Sequence, residues 1–326
     1  MVMSLKNMKT TLAALRIAAL FAALLAPCLA HAAPAPAVRI GYQKGAGLLT
    51  MLKNQGSVER AFAPTHQAVT WIEFPAGPQM LEALNAGSID FGTTGAPPPI
   101  FAQAAGIDVV YVGAEPAPVA SEALIVAAGS PIRTVAQLKG KKVAFQKGSG
   151  SHLLLVSALR RAGLSMRDIV PVYLGPSEAR AAFAGGSIDA WVVWDPYLAA
   201  AQKAYPVRVL ADYTGLLQAN GFYLSSRRFL DKSPESVAIL LEQIAAAGAW
   251  VSGHRKEMVA MLAPQVGVTP DVIETWLSRS RAGVVPVDAA IVANQQRVAD
   301  LFYQEKLIPK PVTISGKTWE WKRTKR

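Results

Sequence analysis

Gly87-Ser88-Ile89-Asp90 and Gly186-Ser187-Ile188-Asp189 are the same four residues, 99 positions apart. The first copy follows a helical run, Pro78 to Ala86, and leads into the extended Phe91-Gly92-Thr93-Thr94-Gly95. The second follows Ser177 to Ala184 and leads into Ala190-Trp191-Val192-Val193-Trp194-Asp195-Pro196. Glycine ends a helix in a left-handed turn because it has no Cβ to clash. Helix, glycine stop and buried strand form one αβ step, and two such steps predict two lobes of similar build. Independent convergence on a good helix-stop turn is the other reading of four shared residues. The loops beyond the two strands differ: Gly/Pro-rich in one copy, a Trp-Asp-Pro corner in the other. Two lobes with polar, non-identical strand ends describe a cleft.

The surrounding chain is long enough for that plan. Its 326 residues fit two domains of ordinary size, and 52% hydrophobic with 17% charged residues is a globular balance. Lys6, Lys9 and Arg16 precede an apolar run from Ile17 to Leu29, and Ala30-His31-Ala32 is a small-x-small site. This is the pattern of a secretory signal cleaved after Ala32. The apolar run is short for a membrane span of roughly 20 residues, and Pro27 before Cys28 departs from a lipoprotein site. Cys28 is the chain's single cysteine, so cleavage removes disulfides, thiol catalysis and cysteine metal sites together. The net charge is +11, and +8 remains without residues 1–32. Part of it is in the tail: Lys317, Lys322, Arg323, Lys325 and Arg326. With no basic helix and an export signal, a basic surface predicts attraction of small anions rather than nucleic acid.

Strand and helix patterns alternate outward from the two repeats. Extended segments are expected at Val38 to Tyr42, Val69 to Phe74, Ile89 to Thr93, Val109 to Val112, Lys142 to Phe145, Val170 to Leu174, Ala190 to Trp194 and Val207 to Leu210. Helices are expected at Leu48 to Phe62, Gln79 to Asn85, Ile100 to Ala105, His152 to Ala162, Ser177 to Ala184 and Tyr197 to Ala204. Such alternation predicts parallel sheets. After Phe222-Tyr223-Leu224 the pattern is helical: Pro234 to Ser252, Lys256 to Ala263, Pro270 to Arg279, Asp288 to Glu305. A helical third with no sheet of its own either packs back on the first lobe or forms a third domain. The first solution gives residues 33–122 plus 225–326 as one lobe and 123–224 as an inserted second. Crossovers would then fall near Glu122 to Ala127 and Asn220 to Ser225.

Ligands of open α/β sheets sit beyond the carboxyl ends of strands. Four loops hold such positions: Gln43 to Gly47, Thr94 to Pro99, Gln146 to His152, and Trp194 to Tyr197. The third is the sharpest. Gly148 and Gly150 allow a tight turn, and Ser149 and Ser151 can cap a helix starting near His152. A helix N-terminus carries unpaired N–H groups and about half a positive charge, a site for anions. Alone, a serine-capped helix explains the segment equally well. Trp194 can be a core side chain or a wall for an alkyl or aryl group. Asp195-Pro196 can cap a helix with proline at its first position. Gln43 is either a solvated loop residue or a neutral donor to a ligand oxygen. Asp90 and Asp189 start strands, the wrong end for a cleft, and are expected to hydrogen-bond local turn amides. His66, His152 and His254 lack metal-site spacing, and no Gly-x-Ser-x-Gly elbow occurs. No cofactor and no metal is expected.

Several longer strings carry a resemblance. They are Arg39 to Gly45 (RIGYQKG), Glu73 to Leu84 (EFPAGPQMLEAL), Pro98 to Gly106 (PPIFAQAAG), Asp189-Ala190-Trp191 with Trp194-Asp195-Pro196-Tyr197, and Phe222-Tyr223-Leu224. In these the chain resembles the aliphatic sulfonate-binding proteins, periplasmic components of ABC importers, within a group that also binds taurine, nitrate and thiamine precursors. The resemblance implies an α/β, type II periplasmic-binding fold: two lobes, a two-strand hinge and a cleft that closes on ligand. It implies a periplasmic, non-enzymatic, monomeric protein that binds a small organosulfonate and hands it to a membrane permease. Carried over by position, Gln43, Gly95, Ala96, Gly148, Ser149, Gly150, Ser151, His152, Trp194 and Asp195 would form the ligand site. Ala96 stands where relatives carry an acidic residue, which implies less repulsion of anions or less preference for amines. A desulfinase on this fold uses a cysteine nucleophile, which the chain after Cys28 lacks.

Overall fold

The structure, a computed structural model, describes residues 37–116, 120–217 and 219–321. The signal-type segment and the last five residues lie outside that range. In chain order the first elements are β1 (Val38–Tyr42), α1 (Gly47–Gln55), α2 (Ser57–Phe62), β2 (Val69–Glu73), α3 (Gly77–Asn85), β3 (Phe91–Thr94), α4 (Pro97–Ala104) and β4 (Val109–Ala114). Then come β5 (Glu122–Ala127), β6 (Lys142–Phe145), α5 (Gly150–Arg161), β7 (Val170–Tyr173), α6 (Pro176–Ala184), β8 (Ala190–Trp194), α7 (Tyr197–Ala204) and β9 (Val207–Ala211). β10 (Phe222–Ser226) is followed by helices only: α8 (Arg227–Lys232), α9 (Pro234–Val251), α10 (Arg255–Val266), α11 (Pro270–Arg279) and α12 (Ala289–Gln304).

Among the described residues the strands form two five-stranded sheets, ordered β2-β1-β3-β10-β4 and β7-β6-β8-β5-β9. Adding five to each strand number of the first sheet gives the second, except that β10 and β5 trade places. Each sheet is therefore mixed. β10 runs antiparallel to β3 and β4, and β5 antiparallel to β8 and β9. The alternation rule expects parallel strands only, and it fails at the two segments read as crossovers. Those segments are themselves strands, each entering its sheet from the other half of the chain.

The repeated tetrapeptide does the same work twice. Gly87 and Gly186 have φ of 71° and 67°, and each ends its helix. Asp90 N–H donates to Arg39 O at 2.8 Å while its carboxylate accepts from Arg39 N–H at 3.0 Å. Asp189 N–H donates to Lys142 O at 2.9 Å while its carboxylate accepts from Lys142 N–H at 2.8 Å. Each aspartate thus clips its strand to the parallel neighbour, β3 to β1 and β8 to β6, correcting the expectation of a bond to turn amides. Asp90 also pairs with the Arg39 guanidinium at 2.6 Å.

Three local boundaries differ from the periodicity. The helix expected from Leu48 to Phe62 is broken at Gly56, whose φ of 61° ends α1. The prolines at 97, 98 and 99 open α4 instead of forming a loop. A first helical turn has no N–H to lose, so proline fits there. Glu122–Ala127 is a full strand with four buried residues. The C-terminal helices pack on the first sheet: Leu240, Ile244 and Leu262 share a core with Leu49, Met51 and Ile40. The exposed edge β4 is covered by the chain end, where Tyr111 exchanges backbone hydrogen bonds with Lys317 and Trp319 at 2.9 Å. No single helix among the described residues is long and apolar enough to cross a membrane.

Candidate functional site

The carboxyl ends of β1, β3, β6 and β8 open onto one cavity of about 200 Å³. Gln43, Gly95, Ala96, Ser149, Gly150, Trp194 and Asp195 all line it. Gln43 donates from its side-chain amide to Thr93 O at 2.9 Å, which leaves its second N–H uncommitted. Trp194 ends β8 and reaches the β1 loop: a Cβ on Gly45 would stand 3.1 Å from Asp195 O and 3.5 Å from the indole. A side chain there would push the Trp194-Asp195 corner back by a few tenths of an ångström. From the other side, Trp276 of α11 lines the same cavity beside Gly47.

The helix N-terminus stands as expected, but its serines do not cap it. α5 starts at Gly150, and the Ser149 side chain makes no capping bond. Ser149 Oγ donates instead to Gln146 O at 2.7 Å. Ser151 is fully buried inside the first turn and does not line the cavity. The partial positive charge of α5 therefore faces the cavity through Gly150 without a serine cap, and the side-chain oxygens beside it are those of Glu122.

Gly148 and His152 stand behind the turn, also outside the lining. His152 Nδ1 accepts from Gly148 N–H at 3.2 Å. Its ring stacks on Phe145 at 4.9 Å and meets Phe302 edge-on at 5.4 Å. Burial, with Lys147 nearby, pulls the imidazole down to about 3, so it is neutral and acts as a brace. Asp195 accepts from Ala199 N–H at 2.9 Å, capping α7. That helix starts at Tyr197, one residue later than a proline-first reading expects.

Among the described residues three carboxyl groups reach the cavity, and sequence reasoning singled out only Asp195. Glu115 follows β4 and Glu122 begins β5, so the two flank the first passage between the sheets. Thr93 Oγ1 donates to Glu115 Oε1 at 3.2 Å. Burial raises the Glu115 carboxyl, partly offset by the facing Tyr223 hydroxyl and by the Thr93 hydrogen bond. Burial, then the Asp195 charge, pushes Glu122 up to about 8. Burial pushes Asp195 up to about 6 against the pull of Arg279, whose Nη1 lies 3.6 Å from Oδ1. Glu122 Oε2 and Asp195 Oδ2 are buried without a partner. The signal that could have found Glu122 is its place at the carboxyl end of β8: it is the register partner of Trp194. Arg281 is the one cation in the lining among the described residues. Lys44 turns to Val266 O at 3.5 Å, and Lys147 to the Tyr173 ring at 5.5 Å. No group of three or more His, Cys, Asp or Glu that could hold a metal occurs among the described residues.

Two mixed α/β sheets whose strand ends share one cavity define the type II periplasmic-binding-protein architecture. The chain belongs to the NMT1/THI5-like family, whose model matches residues 68–258. An Escherichia coli (strain K12) protein named as an aliphatic sulfonates-binding protein is 49% identical, over 87% of this chain and 89% of the relative. A Bacillus subtilis (strain 168) protein of the same name is 33% identical over 85% and 84%. The solved alkanesulfonate-binding protein of Xanthomonas axonopodis pv. citri, bound to MOPS, superposes with a TM-score of 0.83 at 45% identity. That match covers 88% of this chain and 99% of the other. These relatives are named for binding, not for catalysis.

Proposed function

We propose that this protein is the periplasmic binding component of an ABC importer and that its ligand is a small organosulfonate. The observation that carries the reading is the uncapped N-terminus of α5 at a cavity between two sheets. A sulfonate is a strong acid with three acceptor oxygens, so its site needs donors and no proton transfer. The N–H of Gly150 at the helix start, with the free N–H of Gln43, supplies donors, Ser149 shapes the turn through its two bonds to Gln146 O, and Trp194 and Trp276 wall an apolar tail. Gly148, Ser151 and His152 act behind them by fixing the turn; Ala96 supplies a neutral wall. The names of the relatives at 49% and 45% identity support the same ligand class.

The first sheet with its helices acts as one lobe and the second as the other, exported after cleavage near Ala32 and working as a monomer; the expected boundaries at 122 and 224 move by a few residues, because β10 from Phe222 on lies in the first sheet and β5 from Glu122 on in the second. The hinge lies where the chain passes between the sheets, between β4 and β5 and between β9 and β10. Lobe closure around ligand would present a surface to the permease, the hinge motion of which periplasmic binding proteins are a standard example. A thermal-shift panel tests the ligand: methane-, butane-, octane- and benzenesulfonate, taurine, sulfate, nitrate and a thiamine-precursor pyrimidine. A ligand that binds only the folded state raises the melting temperature by mass action. Shifts with alkane- or arylsulfonates are expected. If these and taurine are silent while nitrate or the pyrimidine shifts the melt, the organosulfonate assignment fails and the importer role alone stands; a shift with taurine alone narrows the ligand to an amino-substituted sulfonate.

A further inference from the structure

Resting on that reading, we propose that Glu122 holds the sulfonate as a neutral carboxylic acid, its O–H donating to a sulfonate oxygen beside the N-terminus of α5. The site then keeps its anion only while this carboxyl keeps its proton, and affinity falls as the surroundings turn alkaline.

Position carries the argument. Glu122 begins β5 and lines the cavity, and its carboxyl lies against Gly150, the residue that starts α5. A Cβ on Gly150 would stand 2.3 Å from Oε1 and 2.7 Å from Oε2. A sulfonate seated on the Gly150 N–H is therefore a neighbour of both carboxyl oxygens. Two anions side by side in a sheltered site repel strongly, so an ionised Glu122 would expel the ligand it adjoins. Protonated, the same group changes from a repelling acceptor into a donor. Its Oε2 is buried without a partner, so the protein offers that proton no acceptor and a ligand oxygen supplies one.

The groups around Glu122 keep the proton on it. Asp195, after β8, adds a negative charge, and Arg279 of α11 reaches that aspartate at 3.6 Å. Arg281 beyond α11 is exposed. After β9, Asp212 accepts from Thr214 N–H, and Tyr213 donates its hydroxyl to Gly150 O at 2.9 Å. Arg208 of β9 turns to Ser130 O and Ile132 O, past the far end of β5. Glu115, after β4, is a second acid raised by burial, facing Tyr223 of β10. At α5, His152 is neutral and turned to Phe145 and Phe302, Lys147 lies over the Tyr173 ring, and Arg160 and Arg161 close the opposite end. Burial, then the Asp195 charge, accordingly keeps the ligand-free carboxyl protonated up to about 8.

Calorimetry with butane- and benzenesulfonate tests this on the purified protein. Neither probe titrates near neutrality, so any pH dependence is the protein's. Only the protonated fraction binds, so affinity should fall about tenfold between pH 7 and pH 9. Over the same interval binding should begin to take up protons, reaching about one at pH 9, seen as an enthalpy that varies with the buffer's ionisation enthalpy. Glu122→Gln, which keeps a donor and cannot titrate, should bind with one affinity at both pH values and take up no proton. Glu122→Leu, of similar size but without a donor, should bind about tenfold more weakly than Glu122→Gln at pH 7. A flat parent profile, no proton uptake, a Glu122→Gln profile that falls like the parent's, or equal binding by the two variants overturns the inference. In each of those outcomes the sulfonates still bind and the sulfonate reading stands. If neither probe binds at any pH, and methane- and octanesulfonate fail as well, that reading falls with it.

Discussion

At Gly150 one absent side chain separates two charges of different origin. The helix start offers N–H groups to a ligand, and the Glu122 carboxylate stands in the space a Cβ would fill. Gly150→Ala must push Glu122 aside, and because its carboxylate ends a flexible side chain the fold can absorb this for about 1 kcal/mol. The displaced group has the cavity to move into. The expected result is a melting temperature within a few degrees of the parent and sulfonate affinity lowered about tenfold or more, read by calorimetry. Equal loss of stability and binding would mean that the residue serves packing alone. The same turn shows what the sequence conveyed at this scale. Glycine and serine spacing located the helix start, because those residue types respond to local backbone geometry. Whether Ser149 or Ser151 caps the helix, and whether His152 faces the cavity, depended on Gln146 and on Phe145 and Phe302. Phe302 is distant in sequence, and no local pattern carries its contact.

At the scale of elements, the two copies of Gly-Ser-Ile-Asp share a geometry but not an energy. Asp90 is buried, accepts from the Arg39 backbone and pairs with its guanidinium. Asp189 is exposed and accepts from Lys142 N–H. Removing a carboxylate from a buried pair strands its partner, whereas an exposed acceptor is replaced by water. Asp90→Ala should cost about 3 kcal/mol and Asp189→Ala about 1 kcal/mol or less by urea denaturation, with unchanged dependence on denaturant. Equal costs would sink the argument. The repeat itself was legible because helix, glycine stop and buried strand leave a contiguous signature. β5 is not legible as a strand in the same way: its apolar run, Ala123 to Val126, sits between segments that read as linker. Its two neighbours in the sheet, β8 and β9, come later in the chain. The same long-range pairing hid Glu122, whose role depends on standing beside Trp194.

For the whole molecule the cavity sets a pH response of definite sign. Folding raises Glu122 from 4.5 to about 8 and Asp195 from 3.8 to about 6, so the folded state holds protons that the unfolded chain has released. That stability is fully present below the unfolded values and is lost as pH rises through the folded ones. His152 works oppositely. Lowered from 6.5 to about 3, it gives up its proton on folding, so its contribution grows as pH rises to 6.5 and is constant above. Below about pH 6.5 the two effects oppose; from there to about 8 only the carboxyls act. The ligand-free protein should therefore lose stability between pH 6.5 and 8.5, its melting temperature falling by about 2 °C for each kcal/mol. Glu122→Gln, neutral at every pH, should remove most of that slope. A variant that follows the parent curve would show that Glu122 is solvated in the folded protein. A parent curve that rises across this interval would show that its carboxylate finds a partner on folding.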